Sequence, residues 1–313
     1  MFRRAKQLLP WLLAVCLVGY LLYTIPKEEL WAALQRAHLV YLIAVVIYAI
    51  LGSLVADSWA TARVFSWFLT PVGFGELLPV RAATYLMAIL NYHLGQAGLV
   101  YFVYRRSRER QVSLAAITGV ILMILGTVLL LLTLFSVAGV VTTSDAQIRR
   151  YGWVPAAVGA GALVYFFVLT LKPRWLANRQ LLAPLFAAGV LGHLKATLVR
   201  IPHVAVVVTG HLFAMRCFDV VVPLSIGLIY IPLLLLLASV PITPLGLGTM
   251  QLAAVHLFAG YAPGSEAARR ASVLGYSLSL ASLAMVTQAT LGLFCLRRVI
   301  NLIAVEEERP GEP

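Results

Sequence analysis

Acidic residues are scarce in this chain: 12 Asp and Glu stand against 24 Lys and Arg among 313 residues. Charge of either sign is also thin, at 12% of positions, about half the share of a soluble domain. From Val220 to Ser265 there is no Asp, Glu, Lys or Arg. These shortages exclude an ordinary water-soluble fold. Cysteine is nearly absent too. Cys16, Cys217 and Cys295 lie far apart in apolar runs, with no CxxC and no Cys/His metal spacing, which excludes a disulfide framework and a zinc site. No His/Asp/Glu set has metal-ligand spacing, and no serine nucleophile motif appears. The segment "GLGTMQ" lacks the Lys-Ser/Thr ending of a phosphate-binding P-loop. Neither a metal nor a bound cofactor is expected, and no complete catalytic constellation is present.

What is abundant is apolar surface: 61% of residues are hydrophobic and the mean hydropathy is +0.92. A run of about 20 apolar residues spans the hydrocarbon core as a helix, and several such runs occur. The expected fold is therefore all-α and polytopic. The formal charge of +12 does not point to nucleic acid, because Lys and Arg flank apolar runs, where they anchor helix ends. The first run follows Arg3, Arg4 and Lys6 without a small-x-small cleavage site, so it reads as a retained helix. The acidic, Pro-containing tail, 301–313, reads as disordered.

Apolar runs define the spans: 7–26, 39–63 (uncharged to Ala56, then carrying Asp57 and Arg63), 112–141, 153–171, 201–222 (carrying Arg216 and Asp219 near its end) and 271–296. Between them lie two broken apolar pairs, 77–104 and 223–261. Folded in half, the pattern repeats: helix, helix, broken pair, long helix. Repeat A covers 7–141 and repeat B covers 153–296, with 181–199 as an extra interfacial segment. If each broken pair enters and returns on one side, each repeat crosses three times and the repeats are inverted. About six full spans plus two re-entrant hairpins result. With both termini cytoplasmic, only Lys27, Arg36, Arg149, Arg150, Arg216, Arg269 and Arg270 of the 24 basic residues lie outside. That asymmetry agrees with the positive-inside rule; the expected location is the inner cell membrane, with the chain crossing it several times. The hairpins would then enter from opposite faces, with their tips meeting near the midplane.

The stretch "SVPITPLGLGTMQ", Ser239 to Gln251, carries two prolines and two glycines within eight residues. Proline removes a backbone donor, and glycine admits backbone angles closed to other residues. Such a break at membrane depth survives only where protein or a wet cavity shelters it. Thr249 to Gln251 begin the returning helix, whose N-terminal end suits an anion. The first hairpin is a weaker copy, with its break expected at Gly95 and Gly98. The candidate head-group residues are Asn91, His93, Gly95, Gln96 and Gly98 at the first tip. At the second they are Pro241, Thr243, Pro244, Gly246, Gly248, Thr249, Gln251 and His256.

These segments, "NYHLGQAG" and "LASVPITPLGLGTMQLAAVHLF", resemble the lysylphosphatidylglycerol synthase transmembrane-region family of flippase-like membrane proteins. The resemblance runs from about residue 8 to 298. In the second motif Pro241, Ile242, Pro244, Gly246, Leu247, Gly248 and Thr249 match, with Gln251 at the acidic or amide position. Thr243 replaces a serine and Leu245 a glycine. In the first, Asn91, Gly95 and Gly98 match, whereas Leu94 replaces the usual proline and Leu99 the usual glutamate. The resemblance implies movement of an anionic phospholipid or polyprenyl-phosphate lipid between leaflets, or support of an enzyme that makes one. Two alternatives stay open: a non-catalytic subunit docked to a lipid-modifying enzyme, and an embedded enzyme acting on a lipid phosphate. Lysyl transfer by this chain alone is not expected, since the soluble aminoacyl-transfer domain of the namesake enzymes is not seen here.

Ionisable residues inside a membrane are functional candidates by default. His93, His211 and His256 are candidate proton carriers, while His193 and His203 read as interfacial. Asp57, near Trp59 and Arg63, reads as an interfacial anchor. Arg216 and Asp219, three apart, read as a structural ion pair. Arg105, Arg106, Arg108 and Arg110 either gather anionic lipid or only fix topology.

Overall fold

The computed structural model describes residues 2–107, 110–142, 149, 152–239, 243 and 246–307. Every regular element among them is helical. In chain order these are α1 (Phe2–Thr24), α2 (Lys27–Arg36), α3 (Leu39–Phe68), α4 (Phe74–Leu90), α5 (Tyr92–Arg106), α6 (Leu114–Thr142) and α7 (Trp153–Leu171). There follow α8 (Arg174–Ala177), α9 (Ala183–Val199), α10 (Ile201–Arg216), α11 (Leu224–Ser239), α12 (Thr249–Phe258) and α13 (Glu266–Glu307). Five stretches among the described residues are long and apolar enough to cross a membrane: Leu39–Phe68, Leu114–Thr142, Trp153–Leu171, Ala183–Arg216 and Glu266–Leu302. A sixth arises if α1 and α2, bent by 93° where Pro26 interrupts them, count as one.

Two expectations change. The segment 181–199 is not separate from the apolar run that follows it. α9 and α10 together form the apolar stretch Ala183–Arg216, because the turn at Arg200 keeps αR angles. The tail is not disordered from 301. α13 runs to Glu307, where Leu302 still packs on apolar neighbours; residues 308–313 lie outside the described residues.

The chain divides into two compact units, each assembled from three separate segments. The first holds Met1–Ile50, Leu132–Pro155 and Val206–Val286, and therefore contains α11 and α12. Its core includes Tyr230, which stacks edge-on against Phe258 at 5.7 Å, and Phe218 beneath Gly275. The ends of this second hairpin are tied by Val221 N–H donating to Tyr261 O, 3.1 Å.

The second unit holds Leu51–Leu131, Ala156–Ala205 and Thr287–Pro313, and contains α4 and α5. Its core includes Phe65, Val80, Leu99, Phe102, Val120 and Met123. The first hairpin is an antiparallel helix pair. Glu76 starts it by accepting from Gly73 N–H at 3.4 Å, a favourable place for an acid. Arg106 closes its base on Glu76 at 3.3 Å. The arms are 17 and 15 residues long.

The break in this hairpin is at Asn91, not at Gly95 and Gly98. Asn91 adopts φ −160, ψ 127, ends α4 and caps α5 by accepting from His93 N–H at 2.8 Å. Asparagine does this because its short side-chain carbonyl replaces a missing helical acceptor. The two glycines instead let the arms touch. A Cβ on Gly95 would stand 2.8 Å from Ala88 Cβ and 3.1 Å from Thr84 O. One on Gly98 would stand 2.9 Å from Met87 Sδ. Gly95→Leu is expected to destabilise the protein by about 1–3 kcal/mol, read as an earlier melting transition in detergent. Gly75→Ala, which meets open space, is expected to leave the transition in place.

Candidate functional site

The described residues of the second hairpin's break hydrogen-bond to one another. Thr243 Oγ1 and Thr249 Oγ1 share a hydrogen bond of 3.1 Å, and Thr249 Oγ1 also donates to Gly246 O at 3.0 Å. Gly246 N–H donates to Thr243 O, 3.1 Å. Gln251, only 3% exposed, accepts from Gly248 N–H at 2.6 Å. Gly246 and Gly248 have φ values of 69 and 82, left-handed angles that favour glycine. Helix α1 presses on this loop: a Cβ at Gly248 would stand 2.6 Å from Leu17 Cβ and 3.1 Å from Ala14 O. Gln251 and the two threonines therefore act as capping groups for α12. Pro241 and Pro244 lie outside the described residues. His256 is exposed on α12.

At the first tip, Asn91 and His93 are exposed, whereas Gly95 is buried between the arms. Gln96 points to a different constellation. Its Oε1 accepts from Arg81 Nη1 at 3.4 Å. Arg81, on α4, in turn holds Asp57 of α3 through Nε at 2.5 Å and through Nη2. The other Asp57 oxygen, Oδ1, accepts from Arg200 Nη1. Arg200 sits at the joint of α9 and α10, and its Nη2 donates to Thr61 Oγ1 at 2.8 Å. Asp57 and Thr61 are four residues apart, on one face of α3, and so reach the same guanidinium.

This cluster is inside the protein. Asp57 is 7% exposed and Arg200 is 0% exposed. One carboxylate serves two arginines, so the three groups carry a formal charge of +1. Arg200 Nε has no hydrogen-bond partner among the described residues. Charges removed from water are expensive unless paired, and a buried donor left unmade costs about 1–3 kcal/mol. Two planar guanidinium forks around one anionic oxygen pair form the arrangement that also recognises phosphate.

Asp57 is therefore an enclosed, doubly paired carboxylate and not an exposed one. Its signal in the sequence was its isolation: it is the one acid in the apolar 30-residue α3, with Thr61 one turn on. Arg200 likewise stands alone between two apolar runs. His193 and His203 both engage protein groups. His193 is 3% exposed; its Nδ1 donates to Gly189 O at 2.7 Å, since a carbonyl only accepts, which leaves Nε2 to accept from Tyr165 Oη at 2.7 Å. Gly189, at φ 58 and ψ −170, kinks α9 just before it. His203 Nδ1 lies 3.4 Å from Ser53 O. In the first unit, His211 Nδ1 meets the buried Tyr276 Oη at 2.5 Å.

Arg216 and Asp219 are not joined by an ion pair among the described residues. Asp219 adopts φ 57 in the turn after α10, and its N–H donates to Arg216 O at 3.2 Å. Among the basic residues at and after the end of α5, Arg106 holds Glu76 and Arg110 Nη1 donates to Thr70 Oγ1 at 3.1 Å; Arg108 lies outside the described residues. No family model, curated protein or solved structure matches the chain.

Proposed function

We propose that this chain carries an anionic lipid, a phospholipid or polyprenyl phosphate, between the leaflets of the inner cell membrane. The observation that supports it most is the Asp57–Arg81–Arg200 cluster, buried among apolar helices. An ionisable group at such depth is costly and marks a pathway for polar cargo. Arg81 belongs to a hairpin arm, while Asp57 and Arg200 belong to stretches long and apolar enough to cross a membrane. At 1.5 Å per residue the arms reach only about 22–26 Å, short of the roughly 30 Å hydrocarbon core. They suit re-entrant elements of an inverted repeat with both termini cytoplasmic. The head group would compete with Asp57 for the guanidinium groups, and leaving would restore the internal pair.

The test is reconstitution into liposomes carrying head-group-labelled lipids, scored for leaflet exchange. The expected result is exchange of labelled phosphatidylglycerol well above protein-free vesicles, with phosphatidylcholine exchanged more slowly. No exchange of any anionic lipid overturns the reading.

A further inference from the structure

Residues 172–182 join two stretches that are long and apolar enough to cross a membrane, Trp153–Leu171 and Ala183–Arg216. A short connection between two spanning stretches lies at a membrane face. Its own backbone orders it. Lys172 N–H donates to Val168 O at 3.1 Å as α7 ends, Asn178 N–H donates to Arg174 O at 3.1 Å, and the Leu182 and Ala183 N–H groups both donate to Arg179 O at 2.8 Å. Leu176, Ala177 and Leu182 pack onto the core of the second unit. Helix α6 abuts the connection at Gly119, where a Cβ would have no room beside Leu181 O.

The outer side has a different chemistry. Lys172, Arg174, Trp175 and Arg179 are exposed, Trp175 at 70%. None of the three cations makes an ion pair or a side-chain hydrogen bond among the described residues. The sequence offers no nearby acid either: residues 146–218 contain no Asp or Glu. Lys172 also stands at φ 45, a left-handed angle uncommon for a residue with a side chain and open to glycine. A charge therefore occupies a turn position that glycine would fill without strain.

We propose that this ridge docks on anionic phospholipid head groups, with Trp175 seated among them at the membrane–water interface. Its place decides the occupant. The ridge continues at both ends into apolar spanning stretches, through the exposed Leu171 and Leu181, so the anions nearest the three cations are lipid phosphates. Tryptophan favours that depth because its ring is apolar and its N–H polar, and basic residues beside an anionic leaflet draw its lipids toward them. The proposal goes beyond the transport reading, because a lipid held at this face need not be moved.

The test uses the full chain in two sets of vesicles of identical composition, phosphatidylcholine with a minority of phosphatidylglycerol. One set carries acyl-chain bromine on the phosphatidylglycerol, the other on an equal amount of phosphatidylcholine. Bromine quenches tryptophan on contact, and the difference in emission between wild type and Trp175→Phe isolates the contribution of Trp175 from the other five tryptophans. Brominated phosphatidylglycerol is expected to quench that contribution about fivefold more effectively, roughly the enrichment that one basic residue at an anionic surface produces, and the excess should shrink in high salt. The triple variant Lys172→Gly, Arg174→Gln, Arg179→Gln keeps Trp175 and the turn; it is expected to bring the two lipids level, with its melting transition in detergent unchanged. Equal quenching in wild type makes Trp175 an ordinary interfacial tryptophan and overturns the proposal. Quenching by neither lipid overturns it as well, since the ridge then faces water or another protein. A preference that survives in the folded triple variant shows that the cations do not select the lipid, which is equally fatal.

Discussion

Asp57→Ala is expected to destabilise the protein more than Arg81→Gln or Arg200→Gln. The reason is the count of partners. Removing the carboxylate takes the shared anion from the buried Arg200 and the half-buried Arg81 at once, and breaking a buried ion pair in this way costs about 3–5 kcal/mol. Removing either arginine leaves Asp57 with the other one. Arg200→Gln also removes the orphaned Nε, which offsets part of the loss. Each single arginine variant is therefore expected to lose about 1–3 kcal/mol. Denaturation of the detergent-solubilised variants checks the order. A smaller loss for Asp57→Ala than for both arginine variants would show that the carboxylate is not the hub.

The second large effect falls on Gly248. Two separate penalties meet there. The backbone angle, φ 82, is strained for any residue with a side chain, at about 1–3 kcal/mol. The new Cβ also runs into Leu17 and Ala14 O of α1, which adds about 1–3 kcal/mol of overpacking. Gly248→Ala should therefore lose both contributions together. Gly189→Ala is the control, since Gly189 has φ 58 but open space around its Cβ position; it should lose only the backbone part. Equal losses at the two positions would mean that α1 yields without resistance. Exchange activity of Gly248→Ala is expected to fall with its folded fraction, because the loop around Gly248 bonds to itself.

Much of the architecture was legible because apolar run length is a direct physical signal. The stretches 39–63, 112–141, 153–171 and 271–296 reappear within the helices α3, α6, α7 and α13. The two hairpins were also visible, as apolar runs punctuated by helix breakers. What the sequence hid was the purpose of each glycine. In the second hairpin Gly246 and Gly248 take left-handed angles at the break, as their proline neighbours suggest. In the first, Gly95 and Gly98 remain helical and serve close packing, while Asn91 turns the chain. Spacing alone does not separate a glycine that bends from one that yields room. The ionic cluster was hidden for a different reason. Asp57, Arg81 and Arg200 lie 24 and 119 residues apart, and only folding shows that they share one site. An isolated Asp near a tryptophan and an arginine resembles a membrane-surface anchor until its partners are seen. The histidines followed the same pattern: His93 and His256, next to the breaks, are exposed, whereas His193 is enclosed by Tyr165 and the Gly189 carbonyl.

Head-group preference tests the account at its centre. Liposomes containing wild type or Arg81→Gln are compared for the ratio of phosphatidylglycerol to phosphatidylcholine exchange, with folded protein matched. Arg81 is partly exposed, at 16% of its side chain, and its loss leaves the Asp57–Arg200 pair intact. The account expects wild type to favour phosphatidylglycerol about tenfold and the variant to bring the ratio close to one. A ratio unchanged by Arg81→Gln, with exchange still running, would contradict it.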